Sequence, residues 1–158
     1  MKYGILFIFF VVCFASCDGP DYLFQSTRLL KDDHWMISDS ASFTFNVTDT
    51  NRYYNLQLEI DHGKKYPYEN LYLRIGTTFP DRKYTSDLIN IDLANTSGQW
   101  YSDCRGKTCS IYIDLQKNLL FPQLGKYSLD IKPWMRMDTV PEIYRIELKV
   151  EKGNKRKR

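Results

Sequence analysis

The most chemically specific side chains of this sequence are four cysteines and two histidines, and their surroundings argue against catalysis. Nucleophilic hydrolysis needs a base beside a serine or cysteine, and nucleotide chemistry needs a glycine-rich phosphate loop. The sequence has no Gly-x-Ser-x-Gly motif and no phosphate-binding glycine loop. His34 lies in a polar segment that leads into the first core strand. His62 precedes Gly63, which is typical of a turn. We therefore predict no catalytic residue, no metal, no cofactor and no small-molecule substrate.

The first 16 residues have the composition of a cleavable export signal. Lys2 precedes twelve uncharged residues, 4–15, a run too short to span a bilayer. Small residues then lead directly into a cysteine in Phe14-Ala-Ser-Cys17, which resembles a lipobox. The resemblance implies cleavage before Cys17 and lipid on that residue, which would hold the mature protein on a bacterial membrane. A buried N-terminal helix is the alternative. We predict a lipoprotein signal peptide over 1–16 and a place in the cell envelope, facing the periplasm or the outer surface.

The predicted export also indicates whether Cys104 and Cys109 form a disulfide. Cys13 leaves with the signal and Cys17 takes the lipid, so these two are the remaining thiols of the mature chain. They flank Gly106 within Asp103-Cys-Arg-Gly-Lys-Thr-Cys109, which is typical of a hairpin loop. An oxidising compartment favours a disulfide between them. Two free thiols, or a metal site completed by the histidines, are the alternatives.

Beyond Asp18, apolar and polar residues alternate, which predicts strands. Seven runs show this alternation: 43–47, 54–60, 71–75, 88–93, 110–115, 127–131 and 143–150. Seven strands with one apolar face each require two stacked sheets. We predict an all-β fold, an antiparallel two-sheet β-sandwich of jelly-roll-like type, after the signal peptide. Acidic residues within the strands, such as Glu59 and Glu147, are assigned to its solvated faces.

The same patterns predict the domain limits. A lipidated tether occupies 17–34, the sandwich 35–151 and a basic tail 152–158, with one helical turn over 115–121. The last ten residues contain six Lys or Arg against one Glu, whereas 17–148 contain 15 basic and 18 acidic residues. A basic terminus is usually a solvated tail, and the alternative is attraction to anionic lipid or lipopolysaccharide head groups. Nucleic acid is not expected as a partner because the chain is exported.

Aromatic side chains in the loops suit a recognition surface, although burial in the core is the alternative. The candidates for contact are Tyr66, Tyr68, Trp100, Tyr101 and Trp134. Arg136 stands between Met135 and Met137, where a partly desolvated guanidinium needs a carboxylate. We predict that Asp87 or Asp138 pairs with it. An exposed Arg136 would instead be available to a partner.

Residues in a fixed order along the chain resemble a known family. They are Cys17, Trp35, 43–45, Tyr53, 66–73, 92–93, 98–100, Gly106, 125–127, 135–136, Ile146 and 150–152. In this order and spacing they resemble the GldH family of gliding-motility lipoproteins from Bacteroidetes bacteria. The likeness covers nearly the whole chain, with departures at 102–109 and 140–143.

The resemblance implies a non-enzymatic accessory of the cell-envelope gliding machinery, associated with type IX secretion. Its expected partners are the membrane, through lipid on Cys17, and envelope proteins of that machinery. A carbohydrate-binding lipoprotein is the leading alternative, because loop aromatics can stack on sugar rings, and a hydrolase is the third. Sugar binding requires coplanar exposed rings flanked by polar groups, whereas a protein contact favours a contiguous apolar patch.

Two short motifs predict modification. Asp39-Ser40-Ala41 and Asp138-Thr139-Val140 resemble the Asp-Ser/Thr-apolar sequon for O-glycosylation in Bacteroidetes periplasms. The resemblance implies sugar on Ser40 and Thr139, and ordinary loop polarity is the alternative.

Overall fold

The computed structural model describes residues 19–156, so Cys17 and the predicted signal lie outside the described residues. The chain forms eleven strands within this range. They are β1 (Tyr22–Leu29), β2 (His34–Met36), β3 (Ala41–Val47), β4 (Arg52–Gly63), β5 (Asn70–Thr78), β6 (Tyr84–Asp92), β7 (Asp103–Arg105), β8 (Thr108–Leu119), β9 (Gly125–Pro133), β10 (Thr139–Pro141) and β11 (Ile143–Lys155). A 3-10 turn over Lys31–Asp33 separates β1 from β2. Within 19–156, no helix is long and apolar enough to cross a membrane.

Two antiparallel sheets form the sandwich. One has the strand order β1-β11-β4-β8-β7 and the other β3-β9-β5-β6, and β2 and β10 form a separate short pair. The strand β3 shows how the sequence specifies this layering. Its residues alternate strictly between buried and exposed positions, and Phe43 and Phe45 lie on the buried face. The predicted all-β sandwich is confirmed, and a strand forms at each of the seven predicted runs.

Aromatic side chains join the two sheets in the core. Phe24 of β1 contacts Phe43 and Phe45 of β3, with ring centroids 6.4 and 5.5 Å apart. Phe121, in the loop after β8, packs edge-on against Tyr54 of β4 at 5.1 Å. These separations and tilts are the ones that aromatic pairs prefer. The sheets are therefore held together by the residues that the alternating pattern points inward.

The limits of the domain differ from the prediction. The strand β1 lies within the predicted tether 17–34 and pairs with β11 along its length, so the folded part begins at Tyr22. The strand β11 extends to Lys155, into the predicted tail. The strand β8 continues to Leu119, so the predicted helical turn over 115–121 is wrong.

A network of charges covers the outer face of the five-stranded sheet. Glu59 of β4 and Glu147 of β11 stand directly opposite each other, and each is only 6% exposed. Arg145 donates hydrogen bonds to Glu59, to Glu147 at 2.6 Å and to Asp61 at 2.6 Å. Lys149 donates to Glu59 at 2.7 Å. The assignment of Glu59 and Glu147 to a solvated face is wrong, because these cations cover the two carboxylates and neutralise them.

The strands run between two ends of the sandwich, which we call the proximal and the distal end. The proximal end is formed by 19–21, 48–52, 79–83, 120–126 and 152–156, and the distal end by 30–40, 64–69, 93–107 and 134–142. At the proximal end, the Lys152 amide donates to the Asp21 carbonyl at 2.8 Å. At the distal end, the Ile37 amide donates to the Asp138 carbonyl at 3.0 Å.

Candidate functional site

A groove of about 680 Å³ opens on the outer face of the four-stranded sheet, near the distal end. It is lined by Tyr68, Tyr72, Leu88, Trp134, Met135, Arg136 and Met137. All but one of these side chains are apolar or aromatic, and Trp134 is 49% exposed. A contiguous exposed patch of this kind marks a contact surface more often than a scatter of single apolar residues does. The groove is the candidate functional site.

Strand register brings the groove together. Tyr72 lies between two fully buried leucines of β5, so the pleat directs it outward. Leu88 of β6 stands opposite Arg74 of β5 on the same outer face. Trp134 follows the last residue of β9, and its amide donates to the Tyr72 carbonyl at 2.7 Å. Met135 places its sulfur 3.5 Å from the Tyr72 amide, which fixes the 134–137 segment along the groove.

Cations without acidic partners line the same face. The guanidinium of Arg74 lies 3.9 Å from the ring centre of Trp134, a cation–π contact. The Nε of Arg74 is buried and has no hydrogen-bond partner within the described part of the chain. Lys132 of β9 stands directly opposite Arg74. Among residues 19–156, neither of these cations nor Arg136 has a carboxylate within 4.0 Å. The face therefore combines apolar surface with positive charge.

The prediction of an acidic partner for Arg136 is wrong. Its side chain is exposed, and neither Asp87 nor Asp138 pairs with it within the described part of the chain. The reason is local: Met135 and Met137 pack against the core, and the residue between them turns outward. Arg136 is thus available to a partner, which was the stated alternative.

The structure separates the predicted contact aromatics into two groups. Tyr68 and Trp134 line the groove, and Tyr101 is exposed beside it. Tyr66 is buried, and its hydroxyl donates to the Asn70 carbonyl at 2.9 Å. Trp100 is half-buried and packs against the core. A contact role therefore stays a prediction for Tyr68, Trp134 and Tyr101 and for the half-buried Trp100. It is wrong for Tyr66, which is only 4% exposed.

A second, more polar cleft of about 540 Å³ adjoins the groove and shares Tyr68 with it. It is lined by Pro67, Tyr68, Glu69, Asn70, Asp92, Ala94, Asn95, Thr96 and Tyr101. Side-chain amides and carboxylates here flank two exposed tyrosines. This mixture of rings and polar groups is suited to a hydroxyl-rich ligand.

The turn assigned to His62 is wrong, because the residue is fully buried on the core face of β4. Its Nε2 lies 2.9 Å from the Ser102 hydroxyl, and its Nδ1 lies 3.0 Å from the Gly63 carbonyl. Burial lowers the pKa of His62, although the Gly63 carbonyl and Asp61 oppose that effect. A base beside a serine is the pair that hydrolysis needs. Here the imidazole has no exposed surface and its ring packs against Trp100 at 4.8 Å, so the pair holds the 93–102 loop to β4.

The predicted disulfide between Cys104 and Cys109 is present in the structure. The two cysteines are cross-strand partners in the β7–β8 hairpin. Gly106 at its turn has a φ of +62°, a backbone conformation that glycine adopts without strain. The bridge closes the distal end beside His62, which stands opposite Cys109.

The remaining predicted positions lie at the distal end or outside the described residues. His34 is exposed at the start of β2. Ser40 and Thr139 are both half-buried, and the Asp39 carboxylate before Ser40 accepts a hydrogen bond from Arg28 at 2.6 Å. O-glycosylation at Ser40 and Thr139 stays a prediction. Lipidation of Cys17 stays a prediction as well, since that residue lies before Gly19.

Sequence reasoning missed Tyr72, Leu88 and Arg74 as parts of the site. A signal was present for two of them. In the alternating run 71–75, Tyr72 occupies a position on the polar face, and in the run 88–93 Leu88 shares a face with Asn90. A large apolar residue on the polar face of a strand is the pattern of an exposed contact surface.

The sequence that forms this fold and this groove matches a known protein family. A family model described as GldH lipoprotein matches residues 22–150. The chain belongs to this family. It is also 27% identical over 131 residues to a "Gliding motility lipoprotein GldH homolog" of Christiangramia forsetii, a match that covers 83% of this chain and 79% of the relative. The protein is thus a gliding-motility-associated lipoprotein, lipid-anchored in the cell envelope. The GldH match includes β1 and all of the groove, so both belong to the family's domain.

Proposed function

We propose that this protein is a non-enzymatic interaction module, lipidated at Cys17, that binds another envelope protein of the gliding apparatus associated with type IX secretion. The observation that carries the proposal is the apolar groove on the outer face of the four-stranded sheet. Its lining is contiguous rather than a set of isolated rings between polar groups. That arrangement favours a protein contact over a sugar site.

The charge of the groove indicates the chemistry of the partner. Arg74, Lys132 and Arg136 surround the apolar lining and lack acidic partners within residues 19–156. The guanidinium of Arg74 lies against Trp134, which lines the groove. A partner segment with a carboxylate beside an apolar or aromatic side chain would match both the charge and the apolar lining, because a charged acceptor strengthens a hydrogen bond to arginine. Tryptophan and arginine are also enriched among the residues that dominate interface energies.

Cross-linking in intact envelopes tests this proposal. The wild-type protein and Trp134→Ala are cross-linked in their own host and recovered, and the captured proteins are identified by mass spectrometry. Tyr112→Ala is the matched control, because Tyr112 is 66% exposed on the outer face of the other sheet. We expect capture of one envelope protein to fall roughly tenfold for Trp134→Ala, the typical loss for an interface anchor. Equal capture by all three proteins would contradict the proposal.

The polar cleft beside the groove supports a second candidate function, carbohydrate binding. Tyr68 and Tyr101 are exposed there beside Glu69 and Asp92. The test is recovery of glycan with the purified protein, compared between wild type and Tyr101→Ala. Recovery of glycan alone, lost in Tyr101→Ala and unchanged in Trp134→Ala, would favour this candidate over protein binding.

A further inference from the structure

We propose that the proximal end of the sandwich is a basic surface that binds the anionic phospholipid headgroups of the membrane in which the lipid anchor sits. This inference rests on the proposed lipid at Cys17. It adds a second contact with the same membrane, and with it an orientation of the domain.

The topology places the start of β1 beside the end of β11, where the basic tail begins. The strands β1 and β11 are antiparallel, so the start of β1 meets the end of β11, with Tyr22 opposite Glu151. The Lys152 amide donates to the Asp21 carbonyl at 2.8 Å. Asp21 lies four residues after Cys17, which limits the distance between them to about 14 Å of fully extended chain. The tail therefore leaves the domain at the membrane side.

Positive charge is concentrated at this end and is not confined to the tail. The five proximal segments contain seven Lys or Arg against three Asp, whereas the four distal segments contain six Lys or Arg against seven Asp or Glu. Three of the proximal cations form ion pairs with the three aspartates: Arg52 with Asp49, Lys83 with Asp81 and Lys152 with Asp21. The sequence then continues with two more basic residues, 157 and 158. The proximal end is thus the positive pole of the domain.

Four exposed proximal cations remain without a carboxylate within 4.0 Å in the described range 19–156. They are Arg82, Lys126, Lys155 and Arg156. They come from three separate segments that the fold brings together, since Gln123 donates to Asp81 at 3.4 Å, Gly125 stands opposite Val47 and Lys155 opposite Arg52. Leu124 lies beside Lys126 and is 58% exposed. An exposed leucine among basic residues is the composition of surfaces that lie in the headgroup region.

The contact has a consequence for the groove. A short flexible tether alone would allow the domain to rotate over the membrane, whereas headgroups bound at the proximal end hold the strands pointing away from it. From Gly125 to Pro133, β9 is nine residues long, or roughly 26 Å at ~3.3 Å per step. Trp134 follows directly, so the groove is presented at about that height above the surface.

The experiment compares two vesicles. Mature lipidated protein, purified from its own host, is reconstituted into phosphatidylcholine vesicles or into vesicles that also contain phosphatidylglycerol. Amide hydrogen exchange of each loop is then followed by mass spectrometry at low and at high salt. We expect exchange in 120–126 and 152–156 to slow on the anionic vesicles, by about fivefold for each basic residue engaged. High salt should remove the difference, because the charges are exposed. Exchange in the distal segment 64–69 should not change.

Charge-reversal variants separate specific contact from general attraction. Arg82→Glu with Lys126→Glu should reduce the protection by about 25-fold, which is two fivefold steps, because neither residue has an ion pair among residues 19–156. The control variant is Lys64→Glu with Lys65→Glu, which makes the same change in net charge at exposed distal positions. This control should keep the slowed exchange of 120–126 and 152–156. If the protein binds both kinds of vesicle and its amides exchange at equal rates on the two, the headgroup contact alone is overturned. Protein that partitions into neither vesicle would overturn the lipid at Cys17 and this inference with it.

Discussion

Arg74 stacks its guanidinium on the ring of Trp134 at 3.9 Å, while its Nε is buried without an acceptor among residues 19–156. The stacking contributes about 0.5–1 kcal/mol at such a site. A buried donor without a partner costs about 1–3 kcal/mol. In the free protein these two effects nearly cancel or leave a net cost, so Arg74 adds little to the stability of the fold.

Arg74→Met should therefore separate stability from binding. Methionine keeps most of the aliphatic stem and removes both the unsatisfied Nε and the charge. We expect the thermal midpoint to stay constant or rise, while the yield of cross-linked envelope partner falls. Differential scanning calorimetry and the cross-linking assay measure the two quantities on one preparation. A clear loss of stability with unchanged capture would show that Arg74 serves the fold and not a partner.

Arg145→Ala should destabilise the domain by about 3 kcal/mol, because it removes a cation that the nearly buried carboxylates of Glu59 and Glu147 share and leaves Lys149 to pair with both. Lys117→Ala is the control, since Lys117 is 66% exposed in its pair with Asp114 and should cost less than about 1 kcal/mol. Urea unfolding at neutral pH gives both free energies. Similar small values for the two variants would mean that water screens the network.

The same network predicts acid sensitivity. Burial favours a raised pKa for Glu147, but hydrogen bonds from Gln25 and Arg145 and the charge of Lys149 outweigh it, so the pKa is lowered. A carboxyl group with a lowered folded pKa stabilises the protein above its unfolded pKa of about 4.5. The stability that Glu147 contributes should be lost as the pH falls below about 4.5 towards the folded pKa, and urea unfolding of the wild type and of Glu147→Gln over a pH series measures this loss.

His62 should add a second pH dependence at higher pH. Burial lowers the pKa of His62, so the unfolded chain takes up a proton near pH 6.5 while the folded protein does not. The unfolding free energy should be constant above that pH and decrease below it, by at most about 1.4 kcal/mol per pH unit. His62→Gln should remove this slope between pH 6.5 and the folded pKa. An identical slope in the variant would assign it to other groups.

The strands that could be predicted are those whose sequence alternates. The strands β3 and β9 pair residue by residue, from Ala41 opposite Ile131 to Val47 opposite Gly125, and both read as alternating runs. The sequence of β1 does not alternate between apolar and polar residues, because Tyr22-Leu-Phe24 are successive apolar residues at the edge of the sheet. The strands β2, β7 and β10 have three residues each, too few for a period to show.

The site was less predictable than the fold because it depends on register. Alternation indicated that Glu59 and Glu147 leave the core, but only the pairing of β4 with β11 places Arg145 between them. The same limit led to the wrong partner for Arg136. Sequence neighbours suggested a desolvated arginine there, whereas Arg145 is bound by three carboxylates, and two of these, Glu59 and Asp61, are more than 80 residues away in sequence.

Cys17→Ser should abolish lipid attachment, because transfer of the acyl-bearing group needs the nucleophilic thiol and a serine hydroxyl is a far weaker nucleophile. Cys13→Ser is the matched control within the same leader: it removes a thiol four residues earlier and should leave processing intact. We expect wild type and Cys13→Ser to incorporate labelled palmitate and to sediment with membranes. Cys17→Ser should remain an unprocessed or soluble precursor without label. Several acyl chains anchor a protein almost irreversibly, at about 0.8 kcal/mol per buried methylene, so the difference in sedimentation should be nearly complete. Normal membrane retention of Cys17→Ser would mean that another part of the chain holds the protein in the envelope.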